Sequence, residues 1–430
     1  MCPSVAKITK RSKGVSEAEI LNINEIRKDF PILKTGIIYL DSTASSLTPE
    51  PVLAKMLEFY REYRANVERG IHRLSQRASE EYENARSKVA HFINAKAPSE
   101  IMMTRNTTEG INLVARGLNW KKGDKIVTSV LEHHSNFIVW LRVRDTQGAR
   151  VEVVMPRKPL VKGLLYPEDF EEVIDDKTRL VAVTHVSNVL GSITPVKEIA
   201  EIAHEHGALV LVDGAQSVPH MKVDVQKIGC DFLAFSGHKM CAPTGSGALY
   251  MREEVQNQVE PLLVGGGTIN EVNIDHYTLE KGPGRYEAGT PDIAGAIGLG
   301  AAVDYLQKIG MDKIEQHEKL LTKKMSDDLA GIPKIDLYGP EPEHRVAIMP
   351  FNVADLNPHD VALALDVSAN IMVRSGHHCA QPLLRNIIRK PGTVRASAYF
   401  YNTSDEIEKL ASAVKEIAEK LALPLSNVIF

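Results

Sequence analysis

Two apolar runs in the middle of the chain end on polar residues that could do chemistry together. Leu211-Val212 passes directly into Asp213-Gly214-Ala215-Gln216, and the next run closes as Phe235-Ser236-Gly237-His238-Lys239. An acid at the end of an apolar strand is either a helix cap or a ligand contact. A lysine in that position is unusual. Its ammonium would be partly desolvated, which lowers its pKa and lets the free amine form a Schiff base. The pair suggests pyridoxal phosphate, which needs a lysine for the imine and an acid to keep its ring nitrogen protonated. Either residue alone would be weak evidence.

A phosphate needs a cradle, and Thr104 to Leu113 reads as a loop entering a helix. Backbone N–H groups at that helix start, with the Thr107 and Thr108 hydroxyls, would bind an anion. Ser236 and His238 would close the cradle from the other side. The plainer reading of Thr107 and Thr108 is an ordinary threonine cap. Glu132-His133-His134 follows another apolar run, and His133 is placed to stack on a flat ring. The alternative for a His-His pair is a surface or core position.

The last third of the chain offers Arg374-Ser375-Gly376-His377-His378-Cys379-Ala380 and Val394-Arg395. His-His-Cys alone does not read as a metal site, because adjacent residues do not converge on one ion without another ligand pair. The functional reading is a reactive thiol at Cys379, activated by Arg374 and a protonated His377 or His378. The alternative is a buried inert cysteine, for which a glycine-flanked, histidine-rich loop is a poor site. Arg395 would hold a substrate carboxylate bidentately; a surface ion pair is the default for any single arginine. Cys230 reads as core, Cys2 as part of the tail, and Cys241 as a neighbour of the lysine site with no assigned role.

These residues need a scaffold, and the middle of the chain supplies one. Lys125–Val130, Leu180–Val183, Ala208–Val212, Asp231–Phe235 and Gly247–Met251 read as strands. Pro195 to His206 carries Val196, Ile199, Ala200 and Ala203 at helical spacing, with Gly207 after it. Strands apolar on both faces, alternating with helices, predict an α/β fold with a mostly parallel sheet covered on both sides. In such sheets ligands sit beyond the carboxyl ends of the strands. After about residue 310 the pattern predicts amphipathic helices near Met311–Leu329 and Ser404–Leu421. Short strands, Val346–Phe351 and Ile371–Arg374, lie between them. The expected organisation is a flexible tail over 1–24, a large cofactor-binding domain over 25–308, and a smaller α+β domain over 309–430. The start of the large domain is expected to pack on the small one. Gly265–Gly267 and Gly282–Gly284 mark loops between the two regions.

Composition narrows the function classes. The chain has 430 residues, 43% of them apolar and 25% charged, as in ordinary globular proteins. The net charge of −4 gives no basic field for nucleic acid, and 6% aromatics offer few stacking platforms. The longest apolar-plus-glycine run, Ile293 to Val303, falls short of the ~20 residues a membrane span needs. Four cysteines without a CxxC suggest free thiols in a reducing, cytoplasmic setting. The basic stretch Lys7–Lys13 reads as a solvated tail.

Taken together, the segments resemble the group II cysteine desulfurases, within the class V aminotransferase-like enzymes. The likeness runs from about Ile26 to the C-terminus. It is carried by Tyr39-Leu40-Asp41-Ser42, Arg69-Gly70-Ile71-His72, Thr107-Thr108-Glu109-Gly110, Glu132-His133-His134 and Thr184-His185-Val186-Ser187-Asn188. Asp213-Gly214-Ala215-Gln216, Ser236-Gly237-His238-Lys239, Glu287-Ala288-Gly289-Thr290, the Arg374–Ala380 block and Arg395-Ala396-Ser397 complete it.

The resemblance implies the fold of type I pyridoxal-phosphate transferases. It implies that Lys239 carries the cofactor, Asp213 pairs with its ring nitrogen and Gln216 with its phenolic oxygen. His133 stacks on the ring and helps move protons, while Thr108, Ser236 and His238 hold the phosphate. Thr290 reaches the phosphate of the other subunit of a homodimer. Asn188 and Arg395 orient the substrate, with Arg374 beside them. Cys379 takes sulfur from L-cysteine as a persulfide, leaving L-alanine, and passes it to an acceptor or scaffold protein for iron–sulfur cluster assembly or related sulfur transfer. The nearest alternative is a selenocysteine lyase. Others are an aminotransferase, an epimerase or a kynureninase-like hydrolase on the same fold, or a non-catalytic partner subunit. Four positions depart from the family pattern. Cys241-Ala242 replaces Tyr-Gly after the lysine, which predicts a shifted loop because Ala242 lacks glycine's freedom at positive φ. Glu68 replaces a common histidine, and Thr43 a common alanine.

Overall fold

The structure, a computed structural model, describes residues 21–68, 70–157 and 159–420. Cys2, the basic stretch Lys7–Lys13 and Arg69 lie outside the described residues. Along the chain, β1 (Ile38–Tyr39) is followed by β2 (Ile101–Thr104), β3 (Lys125–Ser129), β4 (Arg150–Val154), β5 (Thr178–Thr184), β6 (Leu209–Asp213), β7 (Phe232–Ser236) and β8 (Gly247–Met251). The last seven form one sheet in the order β2-β8-β7-β6-β5-β3-β4. Neighbours from β7 across to β4 are parallel, and β8 alone runs against the rest.

Side chains along these strands alternate between two cores, as the two-residue period requires. Val181, Val183, Val210, Val212, Leu233 and Phe235 join the main core on one face. Leu180, Ala182, Leu209, Leu211, Phe232 and Ala234 join a second core on the other. A sheet buried on both faces explains why the strands read as continuous apolar runs. The helix Val196–Glu205 buries the four residues expected of it, and Gly207 follows with φ 71°. The long apolar run from Ile293 is a buried helix, Ile293–Ile309, packed on Glu50–Glu62 and Arg73–Phe92. Among the described residues no helix is long and apolar enough to cross a membrane.

Between the two glycine-rich loops the chain forms an exposed hairpin, β9 (Ile269–Val272) with β10 (Tyr277–Leu279), that the sequence reading did not contain. These strands bury almost nothing, so no apolar pattern announces them. A second sheet follows from β11 (Ile335–Leu337), β12 (Ile348–Val353), β14 (Arg374–Gly376) and β15 (Thr393–Ser397), all antiparallel, in the order β11-β12-β15-β14. The helices Met311–Ala330, Pro358–Ala369 and Ser404–Lys420 pack against it. β1 pairs in parallel with β13 (Ile371–Met372), and Asp41 bridges to Ser397. The start of the chain is thereby tied to this second region, with Ile38 and Leu40 in its core. Leu21 and Ile23, placed by the sequence in the tail, are instead buried in the main core.

Candidate active site

The carboxyl ends of β5, β6 and β7 open onto a cavity of about 640 Å³, closed on its far side by the turn after β14 and by Arg395 on β15. Lys239, Asp213, Gln216, His133, Asn188, Thr107, Thr108, Ser236, His238, Arg374, Arg395 and Cys379 all border it. Thr290 does not. It is exposed and lies on a separate cleft of about 350 Å³ with Glu287 and Asp292.

Asp213 is the last residue of β6, and its side chain is buried. Oδ1 accepts the Ala215 N–H at 2.9 Å. Burial raises its pKa, opposed by that hydrogen bond and by Lys239. Lys239 ends the short helical turn Gly237–Lys239 directly after β7. Burial lowers its pKa to about 8; Asp213 and Cys379 oppose this, and Arg395 adds to it. The amine therefore exchanges protons near neutrality, as the strand-end position predicts.

His133 is neutral, its pKa lowered to about 3 by burial and by the charges of Lys239, His134 and Arg395. The Ser135 backbone N–H donates to its Nδ1 at 3.1 Å, so the ring proton sits on Nε2. Just before it, Glu132 is fully buried. Its carboxyl accepts from Ser129 Oγ at 2.5 Å and Asn136 Nδ2 at 2.6 Å. These bonds fix the loop that presents His133.

The helix Thr107–Gly117 points its N-terminus at the cavity, with Asn106 as its cap, accepting the Glu109 N–H. Ser236 Oγ accepts the Thr107 N–H at 2.9 Å and lies 2.7 Å from Thr107 Oγ1. Thr108 Oγ1 lies 2.7 Å from Ser135 Oγ. Hydroxyls from three segments thus meet at a helix N-terminus, a ready anion site. Gly247 makes this possible: a Cβ there would stand 2.7 Å from Phe235 O and 2.9 Å from Asn106 Cα.

Cys379 is exposed, in contrast to Cys230 and Cys241, which are buried. His378 and Cys379 both take left-handed backbone, φ 52° and 56°. Such strain persists only where surrounding contacts enforce it, and it clusters at functional sites. Asn188 Nδ2 donates to His378 O at 2.7 Å. One expectation is corrected here. His378 does not supply a positive charge to the thiol. Burial holds its pKa well below the usual histidine value, and Nε2 faces Thr393 O at 3.1 Å. The cations whose charges interact with Cys379 include Lys239, Arg374 and Arg395.

Arg395 is 2% exposed and reaches Asn188 O at 2.8 Å through Nη1 and Asp41 Oδ1 at 3.3 Å through Nη2. Its Nε is buried without a partner. Arg374, opposite Arg395 across the β14–β15 pair, holds the same Asp41 carboxylate in a fork, at 3.1 and 2.8 Å. Asp41 is therefore a site residue that the residue-by-residue reading missed. Its only signal was membership of the Tyr39–Ser42 block.

The reason given for a shifted loop at Ala242 does not hold in this structure. Ala242 lies outside the left-handed region, and Cys241 takes it instead, at φ 66°, with its N–H bonded to Ser46 Oγ at 2.7 Å. The residues present fit pyridoxal phosphate. A low-pKa lysine and a buried carboxylate border one cavity, a hydroxyl-lined helix N-terminus faces it, and the buried Gln216 Oε1 and Asn188 Oδ1 have no protein partner.

Comparison with known proteins points the same way. Residues 38–410 match the class-V aminotransferase family. The chain is 47% identical over 401 residues to a probable cysteine desulfurase of Methanothermobacter thermautotrophicus, covering 93% of this chain and 98% of that one. It is 48% identical over 408 residues to one of Halalkalibacterium halodurans, at the same coverage. Among solved structures, the apo cysteine desulfurase of Thermococcus onnurineus superposes with a TM-score of 0.89 at 47% identity, covering 93% of this chain and 98% of that one. The cysteine desulfurase CsdA of Escherichia coli does so with 0.86 at 36% identity and the same coverage.

Proposed function

The chain belongs to the class-V aminotransferase family, and on that premise we propose that it takes the sulfur of L-cysteine onto Cys379 and releases L-alanine. The observation that carries this reading is the exposed Cys379 thiol on the wall of the cavity that also holds Lys239 and Asp213. An aminotransferase, epimerase or hydrolase on this fold has no use for a thiol there.

Lys239 would hold pyridoxal phosphate through its amine, Asp213 the ring nitrogen, Gln216 the phenolic oxygen, and Thr107, Thr108, Ser236 and His238 the phosphate. When bound, this group withdraws electrons from the substrate's Cα and makes its proton acidic. Lys239, with a pKa near neutrality, takes that proton. Neutral His133, which lines the cavity and carries its ring proton on Nε2, helps relay protons. Arg395 holds the substrate carboxylate, its buried Nε being the guanidinium nitrogen without a partner, while Asn188 orients it and Arg374 seconds it at the rim. The Cys379 thiolate attacks the substrate sulfur. A sulfur–sulfur bond forms, the substrate carbon–sulfur bond breaks, and the carbon gains a proton. The balance is L-cysteine plus protein thiol giving L-alanine plus protein persulfide.

The exposure of Cys379 suits onward transfer to a sulfur-acceptor or scaffold protein in the cytoplasm, for iron–sulfur cluster assembly or related sulfur transfer. The exposed position of Thr290, away from its own cavity, suits a homodimer in which each Thr290 serves the other subunit's phosphate. The two sheets would then belong to two domains, 25–308 and 309–430, meeting at the cavity.

The test is alanine release from L-cysteine by the cofactor-loaded protein with a reductant, beside Cys379→Ala. Alanine from the parent and almost none from the variant is the expected result. Equal release by both would remove Cys379 from the reaction and favour a selenocysteine lyase, which L-selenocysteine as substrate would then reveal.

A further inference from the structure

His133 and His134 are consecutive, yet they serve different parts of the cavity. His133 belongs to the ring side. His134 closes on the segment that carries Cys379. Its backbone N–H donates to Cys379 O at 2.7 Å, and its Nε2 accepts the Gln381 N–H at 3.1 Å. One residue thus grips this segment at the reactive cysteine itself and two residues beyond it.

The segment needs such a grip. His378 and Cys379 are consecutive left-handed residues, neither of them glycine. L-residues keep that conformation only where neighbours impose it. On the amino side the imposing contacts are Asn188 Nδ2 on His378 O and His378 Nε2 on Thr393 O. On the carboxyl side the side-chain contact is the His134 ring. Burial lowers the pKa of His134, with His377 adding to the effect, which keeps Nε2 free to accept a hydrogen bond at neutral pH.

We propose that His134 is a positioning residue that holds Cys379 at the cavity mouth, linking the loop that presents His133 to the segment that presents the thiol. This rests on the reading of Cys379 as the sulfur acceptor. A loosened thiol reaches the substrate sulfur less often, and misplacement by about 1 Å costs up to roughly a hundredfold in rate.

The experiment compares holoenzyme of the parent, His134→Ala and His134→Gln. Alanine removes the ring acceptor but leaves the backbone N–H. Glutamine offers a side-chain oxygen at similar reach. Hydrogen exchange over residues 377–384 is followed by mass spectrometry. A single turnover with L-cysteine is also followed, reading the early absorbance change of the cofactor and the persulfide on Cys379 separately. We expect His134→Ala to keep the parent's cofactor spectrum and early absorbance change, to exchange faster over 377–384, and to form persulfide roughly ten- to a hundredfold more slowly. His134→Gln should recover most of both losses. Parent-like exchange in His134→Ala overturns the proposal, as does a slowed variant that glutamine does not rescue or one whose early cofactor step is lost as well. If the parent forms no persulfide, the functional reading fails by itself, and the exchange comparison still decides whether His134 holds the segment.

Discussion

Replacing Asp41 by asparagine should destabilise the protein far more than its position in a short N-terminal segment suggests. Asp41 is the only carboxylate paired with Arg395 among the described residues. The Arg395 side chain is 3% exposed, and that of Asp41 13%. Removing one partner of a buried ion pair leaves an uncompensated charge and costs about 3–5 kcal/mol. The asparagine amide keeps one acceptor and nearly the same volume, so the low end, about 3 kcal/mol, applies. The contact with Arg374 adds little. That side chain is 50% exposed, and exposed pairs contribute about 0–1 kcal/mol. The assay is urea unfolding of the parent, Asp41→Asn, Arg395→Met and the double variant. Once Arg395 is gone, Asp41→Asn should cost only the exposed pair, about 1 kcal/mol or less. The coupling between the two sites should then be about 2 kcal/mol or more. If Asp41→Asn stays within about 0.5 kcal/mol of the parent, or the two changes add without coupling, the reasoning about a buried counterion is wrong.

Other consequences are open to direct measurement. Cofactor rebinding to the apoprotein proceeds through the unprotonated Lys239 amine, so its rate should rise with pH and level off above about 8. A midpoint near the ordinary lysine value of 10.5 would contradict the desolvated site. Ser236→Ala leaves the buried Thr107 N–H without its acceptor, and a titration followed by absorbance should show the cofactor dissociation constant raised about tenfold. Gly247→Ala forces a Cβ against Phe235 O and Asn106, so it should lower both the melting temperature and cofactor affinity. An unchanged protein would mean that the cap of the phosphate-side helix adjusts freely.

The sequence exposes those parts of the site that local physics fixes. Asp213 and Lys239 stand where strands buried on both faces must end, and a polar residue there is either a cap or a ligand contact. The helix start at Thr107 carries its own hydroxyl and turn signals. The strand Gly247–Met251 is legible as a continuous apolar run, and the helix from Ser404 by the helical spacing of its apolar residues. What depends on distant approach is not legible. Asp41 meets Arg374 and Arg395 across 333 and 354 residues of chain. His134 reaches Gln381 across 247. Gly247 matters because β8 passes against Asn106, which nothing in its own neighbourhood indicates. The protonated state offered for His378, as the alternative to His377, failed for a related reason: its burial against Thr393, which decides its charge, is not written in the His-His-Cys string. The hairpin β9–β10 has no buried face and hence no pattern to read.

The central claim is that sulfur leaves the substrate by way of Cys379. The measurement that tests it most directly is a single turnover of cofactor-loaded protein with L-cysteine carrying isotopically labelled sulfur, followed by mass spectrometry of the peptide containing Cys379. The account predicts one labelled sulfur atom on Cys379, with an equal amount of L-alanine released. Labelled sulfide and alanine appearing together while Cys379 stays an unmodified thiol would contradict it.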